Sequence, residues 1–239
     1  MTYNLNGTRG RVDAATYDAG LRSFMLSVFN NMTFALLISG LVAFLTFQSP
    51  GAMHFLFETN FVWVTMLSPL LFLFVLMYGI TNLSTGTART LFWLYAAFMG
   101  LSLSCIGMQY TGLEITKVFF ISAGTFAGCS AFGYLTGKDL SSIGSYCIMA
   151  LWGVILASVV NLFFMSGVAS LGLSIITVIL FVGLTAWDTQ QLKDTYLSSR
   201  AFSSDDEMSR VGLFGALNLY LDFLNLFLNM LRIFGVSKD

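Results

Sequence analysis

Long runs without a formal charge dominate the chain. Residues 23–57, 59–88, 90–113, 118–137 and 140–187 contain no Asp, Glu, Lys or Arg. About 20 apolar residues are enough to carry a helix across the hydrocarbon core of a bilayer. A soluble core helix would show a charged face every few residues, and none does here. The pattern predicts spans near 24–47, 61–81, 90–108, 117–135, 144–165, 169–190 and 212–234. The expected fold class is an all-α membrane protein with seven transmembrane helices.

Composition agrees with that reading. The 239 residues are 56% hydrophobic and only 10% charged, where soluble domains carry roughly 25% charged residues. Residues 1–22 form a polar N-terminal tail, and residues 23–239 form the seven-helix membrane domain. Met1–Arg11 reads as disordered, and Thr16–Arg22 as the start of an interfacial helix with Asp18 and Arg22 paired at i, i+4. The run from Phe24 is too long for a signal-peptide core and is expected to be retained. The stretch Lys193–Arg210, with Ser203-Ser204-Asp205-Asp206-Glu207, is the one long polar loop of the pattern.

Charge placement suggests an orientation. With the N-terminus inside, eight of the eleven Lys and Arg residues fall on that side, and Lys117, Arg232 and Lys238 on the other. The positive-inside rule then favours a cytoplasmic N-terminus. Seven spans place the C-terminus outside; a re-entrant last segment would return it. A net charge of −1 offers no basic patch for nucleic acid. Cys105, Cys129 and Cys147 sit in apolar runs, an odd number without CxxC spacing, and read as small buried hydrophobes.

Other features read as packing devices. Gly124-xxx-Gly128 places small residues where helix backbones can approach closely. Pro69 is expected to kink the second span by removing one backbone hydrogen bond. The twelve Met residues are scattered gap-fillers. His54, the sole histidine, falls in a short external loop, where a proton-sensing role is the weaker reading.

Two acidic residues break the charge-free pattern deep inside spans: Asp188 and Asp222. An Asp at the centre of a membrane helix costs about 2.5–3.5 kcal/mol on insertion scales, so such residues face a partner or an aqueous cavity. In the last span, Asn218, Asp222, Asn225, Asn229 and Arg232 recur at spacings of four, three, four and three. That spacing is one helical face about 21 Å long. A polar stripe on an apolar helix belongs against protein or water, which argues for a central last helix. It serves either to line a pathway or to join helices by hydrogen bonds. Asp188 reaches the depth of Asp222 only if the sixth helix continues to Lys193 or beyond. Two carboxylates brought together in a low dielectric share a proton and titrate as a unit. Such a pair holds two helices together in acid and parts them, or binds a cation, once both groups are charged. Its oxygens, with Asn carbonyls nearby, are ligands of the kind calcium prefers. A structural lock between the two helices is the competing explanation.

TAWDTQQLKDTY (Thr185–Tyr196) and LNLYLDFLNLFLNMLRIFG (Leu217–Gly235) resemble the Bax inhibitor-1 family, also called the transmembrane Bax inhibitor motif family. AATYDAGLRSFM (Ala14–Met25) is similar to its proteobacterial branch. The resemblance implies six helices around a central seventh and a pH-sensitive calcium leak. It implies that Asp188 and Asp222 are the pH sensor and ion gate, and a candidate calcium site, near the cytoplasmic side. Asn218, Asn225, Asn229 and Arg232 would then line or brace the path. The family's acidic and basic residues near the second helix have no counterpart here: VWVTMLSPLLFLFVLMYGIT carries no charge, and Arg89 is not assigned that role.

The leading reading is therefore a cation leak in a bacterial inner membrane. It needs no cofactor, calcium being the permeant ion, and its partners are membrane lipids and calcium or other cations. The alternative is a regulatory membrane protein that binds a quality-control protease or another stress-response partner, through residues 1–22 and the Lys193–Arg210 stretch. A secondary transporter would want an inverted repeat, which the sequence does not show. An enzyme would want a metal motif, a nucleophile–base pair or a phosphate loop, and none is legible.

Overall fold

A computed structural model describes residues 5–59, 61–79, 83–199 and 204–236, without the side chains of 5–18 and 77–79. The described residues are almost wholly helical. The main helices are α1 (Leu5–Gln48), α2 (Val62–Gly79), α3 (Thr85–Leu103), α4 (Gly112–Leu135), α5 (Ser141–Phe164), α6 (Gly167–Ser199) and α7 (Asp205–Phe234). Short helical pieces at Pro50–Met53, His54–Glu58 and Ile106–Gln109 join them.

Helix starts follow the side chains that can accept from exposed backbone N–H groups. Ser84 accepts from the Thr87 amide to open α3, and Thr111 from the Glu114 amide to open α4. Ser204 accepts from the Glu207 amide while the Glu207 carboxylate accepts from the Ser204 amide, a complete capping box for α7. At the other end of α5, Met165 takes a left-handed conformation (φ 47°) and closes the helix through its amide to the Asn161 carbonyl.

Among the described residues, six stretches are long and apolar enough to cross a membrane: Ala19–Gln48, Thr85–Gln109, Gly112–Leu135, Ser141–Phe164, Gly167–Ser199 and Asp205–Phe234. Pro50–Glu58 and Val62–Leu76 pass the same test together but meet at 82°, and would make a seventh if counted as one crossing. The sharp bend thus lies before α2. Helix α2 runs as one helix through Pro69.

Helix α7 occupies the middle of the bundle. Its most apolar window is 67% buried, against 33% or less for the other five spans. It packs on α6, α1, α4 and α3, while α2 packs chiefly on α3 and α5 on α6. The expected ring of six helices around the last is therefore narrower, with four in the main contacts and two applied outside. Leu213, Ala216, Leu219, Tyr220 and Leu226 of α7 are sealed in that core. The outer faces carry exposed Trp152, Leu156, Leu70 and Leu71, as suits a surface bathed in lipid tails.

Three expectations are revised. The tail expected to be disordered to Arg11 is helical from Leu5, continuous with α1; residues 1–4 and the Asp18 side chain lie outside the described residues. The stretch Lys193–Arg210 is mostly helix, because α6 continues to Ser199 and the capping box starts α7 at Asp205; residues 200–203 are not described. Gly124 and Gly128 face open space, and the close helix approach is made instead at Gly133, which lies against the backbone of Ala186 on α6.

Candidate functional site

Helices α6 and α7 are consecutive and antiparallel, since Leu192 packs on Gly215 while Asp188, a turn earlier, meets Asp222 further along. Gly215 has no side chain to hold α6 off: a methyl there would collide with Leu192. On α6, the hydroxyls of Thr185 and Thr189 donate to the carbonyls of Phe181 and Thr185 at 2.7 and 2.8 Å. They satisfy themselves within the helix, so these polar residues can lie fully buried beside the carboxylates.

The two aspartates come together. Their carboxyl groups lie within hydrogen-bonding reach of each other. Asp222 is buried, and its Oδ2 has no protein partner. Asp188 is half-buried. A hydrogen bond between two carboxyl groups requires a proton on one of them, because an ionised carboxylate only accepts. The geometry is thus suited to a singly protonated pair, in which one proton satisfies an oxygen that otherwise has no donor.

A cleft of about 730 Å³ between α6 and α7 reaches Asp188. Asp188, Gln191 and Thr195 line one wall, and Glu207, Arg210, Phe214 and Asn218 the other. On α7 these positions follow one helical face whose next polar member is Asp222. Arg210 also donates to the Leu83 carbonyl at 3.4 Å, which ties the α2–α3 connection to the mouth of the cleft. Glu207, Arg210 and Thr195 were not among the expected site residues. The signal for the first two was present in the continuation of the α7 stripe below Asn218.

The rest of the stripe does something different. Asn225 donates from Nδ2 to the Leu221 carbonyl at 2.9 Å, and Asn229 to the Asn225 carbonyl at 2.8 Å. Both amides turn back onto their own helix, and Arg232 is exposed near its end. Only Asn218 of the stripe joins Asp188 at the cleft. Among the described residues, no cluster of three or more His, Cys, Asp or Glu side chains could hold a metal ion.

Away from the pair, α6 is pinned on its opposite side. Gln190 donates to the Lys138 carbonyl and accepts from the Leu140 amide, both at 2.8 Å. Lys193 donates to the Tyr134 carbonyl at 2.9 Å and lies 5.6 Å from that ring's centre. These contacts explain why α6 stays helical and ordered beyond its apolar run, as the depth of Asp222 requires.

The sequence is shared with known proteins. Residues 21–239 match the family model described as inhibitor of apoptosis-promoting Bax1. The chain is 42% identical over 221 residues to the inner membrane protein YbhL of Escherichia coli, covering 91% of this chain and 93% of that one. It is 40% identical over 224 residues to an uncharacterized protein of Rickettsia prowazekii, covering 94% of each. An uncharacterized membrane protein of Streptococcus pyogenes is 32% identical over 227 residues, 91% of this chain and 94% of that one. With the family model spanning nearly the whole chain and its two aspartate segments meeting at one cleft, this is a membrane protein of the Bax inhibitor-1 family.

Proposed function

We propose that the protein is a pH-sensitive leak for calcium or another cation, with Asp188 and Asp222 as its proton-holding gate. The observation that carries this reading is the meeting of the two carboxyl groups, one of which, Asp188, lines the cleft between α6 and α7. With one proton between them, the pair bonds α6 to α7 and the cleft ends there. With none, two adjacent carboxylates in a poorly solvated site repel, the helices part, and the freed oxygens attract a cation. Glu207 adds a negative charge along the approach, and Asn218 offers an amide oxygen between mouth and pair. Asn225, Asn229 and Arg232 brace the far half of α7.

In this reading the bent pair Pro50–Glu58 and Val62–Leu76 is the seventh crossing, and the N-terminus lies in the cytoplasm. The Lys and Arg distribution supports that orientation, and the cleft then opens to the cytoplasm. The location named for the Escherichia coli relative supports a bacterial inner membrane.

The test is calcium flux into dye-loaded liposomes carrying the purified protein, measured across a pH series. Flux should rise as pH rises through the titration of the pair, and Asp222→Asn should lose that response. A pH response that survives in Asp222→Asn at full amplitude would sink the gate.

A further inference from the structure

Helices α1 and α4 both pack on α7 but make little direct contact with each other. Between them runs a groove of about 490 Å³, walled by Phe29 and Met32 of α1 and by Ala127 and Ala131 of α4, with Phe223 of α7 as floor. It ends at one end beside Tyr134 and at the other against Phe119. Those two residues are fifteen positions apart on α4, or about 22 Å, more than the roughly 15 Å depth of one leaflet's hydrocarbon. A second apolar cavity of about 340 Å³ continues past Phe119 and shares Leu36 and Phe223 with the first.

Two cations stand at the Tyr134 end. Lys193 of α6 reaches the Tyr134 carbonyl and ring, and among the described residues its ammonium meets no carboxylate. Arg22 is exposed and stands seven residues before Phe29, on the same face of α1. The far end is different, because Lys117 there is neutralised by Glu114 at 2.7 Å. An apolar channel open to the bilayer, with the Lys193 ammonium facing no carboxylate among the described residues at one end and Lys117 neutralised at the other, is complementary to one molecule of the bilayer itself.

We propose that the groove between α1 and α4 holds one acyl chain of an anionic phospholipid, whose headgroup sits at Lys193 and Arg22. The tail lies over Phe29 and Ala127 and ends on the aromatic floor at Phe119 and Phe223. The phosphodiester accepts from the Lys193 ammonium in addition to the Tyr134 carbonyl, which leaves that cation a position free in its three-donor shell. This site does not depend on the titration of Asp188 and Asp222.

The full-length protein, purified in mild detergent, is exposed to equal amounts of dioleoylphosphatidylglycerol and dioleoylphosphatidylcholine, and retained lipid is counted by native mass spectrometry. The wild type should retain the anionic lipid preferentially. Lys193→Gln, which keeps a donor for the Tyr134 carbonyl, should reduce that preference about fivefold, and Arg22→Gln by a similar factor. Ala127→Trp, or Ala131→Trp one turn on, should expel lipid of both kinds. Both alanines are exposed, so the added ring enters open groove rather than core. An unchanged lipid ratio in the double glutamine variant overturns the proposal. So does full lipid retention in both tryptophan variants, displacement of the lipid by glycerol phosphate alone, or a dimer that either tryptophan dissociates.

Discussion

The carboxyl groups of Asp188 and Asp222 are within hydrogen-bonding reach, yet Oδ2 of Asp222 is buried without a protein partner. On the proposed reading one carboxyl carries the proton that joins them, and the contact between α6 and α7 titrates. Spin labels at Ser198 and Ser209, exposed positions on the two helices, report the separation. The distance should lengthen as pH rises and the shared proton leaves, and shorten again on acidification. In Asp222→Asn the side-chain amide can donate to Asp188 at every pH, so the distance should stay short throughout. A wild-type distance that does not move with pH would remove the basis for gating at this pair.

The glycines of α4 and α5 separate into two kinds. A methyl at Gly133 would run into the Ala186 carbonyl of α6, and one at Gly144 of α5 into the Trp187 ring. Overpacking of this sort costs typically about 1–3 kcal/mol. Gly124 and Gly128 have nothing within 4 Å of such a methyl, and there alanine gains helix propensity, up to about 1 kcal/mol. Thermal unfolding in detergent should therefore fall for Gly133→Ala and Gly144→Ala and hold or rise for Gly124→Ala and Gly128→Ala.

These glycines show what the residue pattern can and cannot convey. Charge-free runs place the spans because lipid imposes a composition on every residue that meets it. The buried Asp222 implies a long sixth helix because its partner must reach equal depth, and α6 does continue to Ser199. A GxxxG spacing identifies a smooth face without saying what lies opposite, so it marks Gly124 and Gly128 while the contact forms at Gly133. The polar stripe of α7 fixes a face, but not that Asn225 and Asn229 turn onto their own carbonyls. The polar composition of Lys193–Arg210 suggests a loop, although the spacing of Ser204 and Glu207 is that of a helix start. Local chemistry was legible; which neighbour each face meets was not.

Gln190 should prove a stability residue rather than a functional one. Its side chain satisfies the Lys138 carbonyl and the Leu140 amide at the turn between α4 and α5, in a buried position. Gln190→Met keeps much of the volume and removes both bonds. Leaving buried groups unsatisfied costs about 1–3 kcal/mol. The unfolding temperature should drop, and amide exchange at Leu140 should accelerate, while the pH response of flux is retained. Loss of that response without a loss of stability would mean that the turn takes part in gating.

Ser39 and Tyr220 join three helices through one buried hydroxyl pair. Ser39 Oγ lies 2.9 Å from the Ala35 carbonyl, 2.8 Å from the Ala96 carbonyl and 2.7 Å from the Tyr220 hydroxyl. Serine has one proton, and carbonyls only accept, so its hydrogen goes to them and Tyr220 must donate to Ser39. Tyr220→Phe then removes a donor and leaves Ser39 still bonded to a carbonyl. Ser39→Ala leaves the Tyr220 hydroxyl without its acceptor at a fully buried site. Interhelical hydrogen bonds in membranes average about 0.6 kcal/mol and reach about 1.7, so Tyr220→Phe should fall in that range and Ser39→Ala should cost more. The double variant should be less destabilised than the sum of the two, since one interaction is lost twice in the arithmetic but once in the molecule. Thermodynamic unfolding of all four proteins in the same detergent measures this, and strict additivity would show that the two hydroxyls are neighbours without being partners.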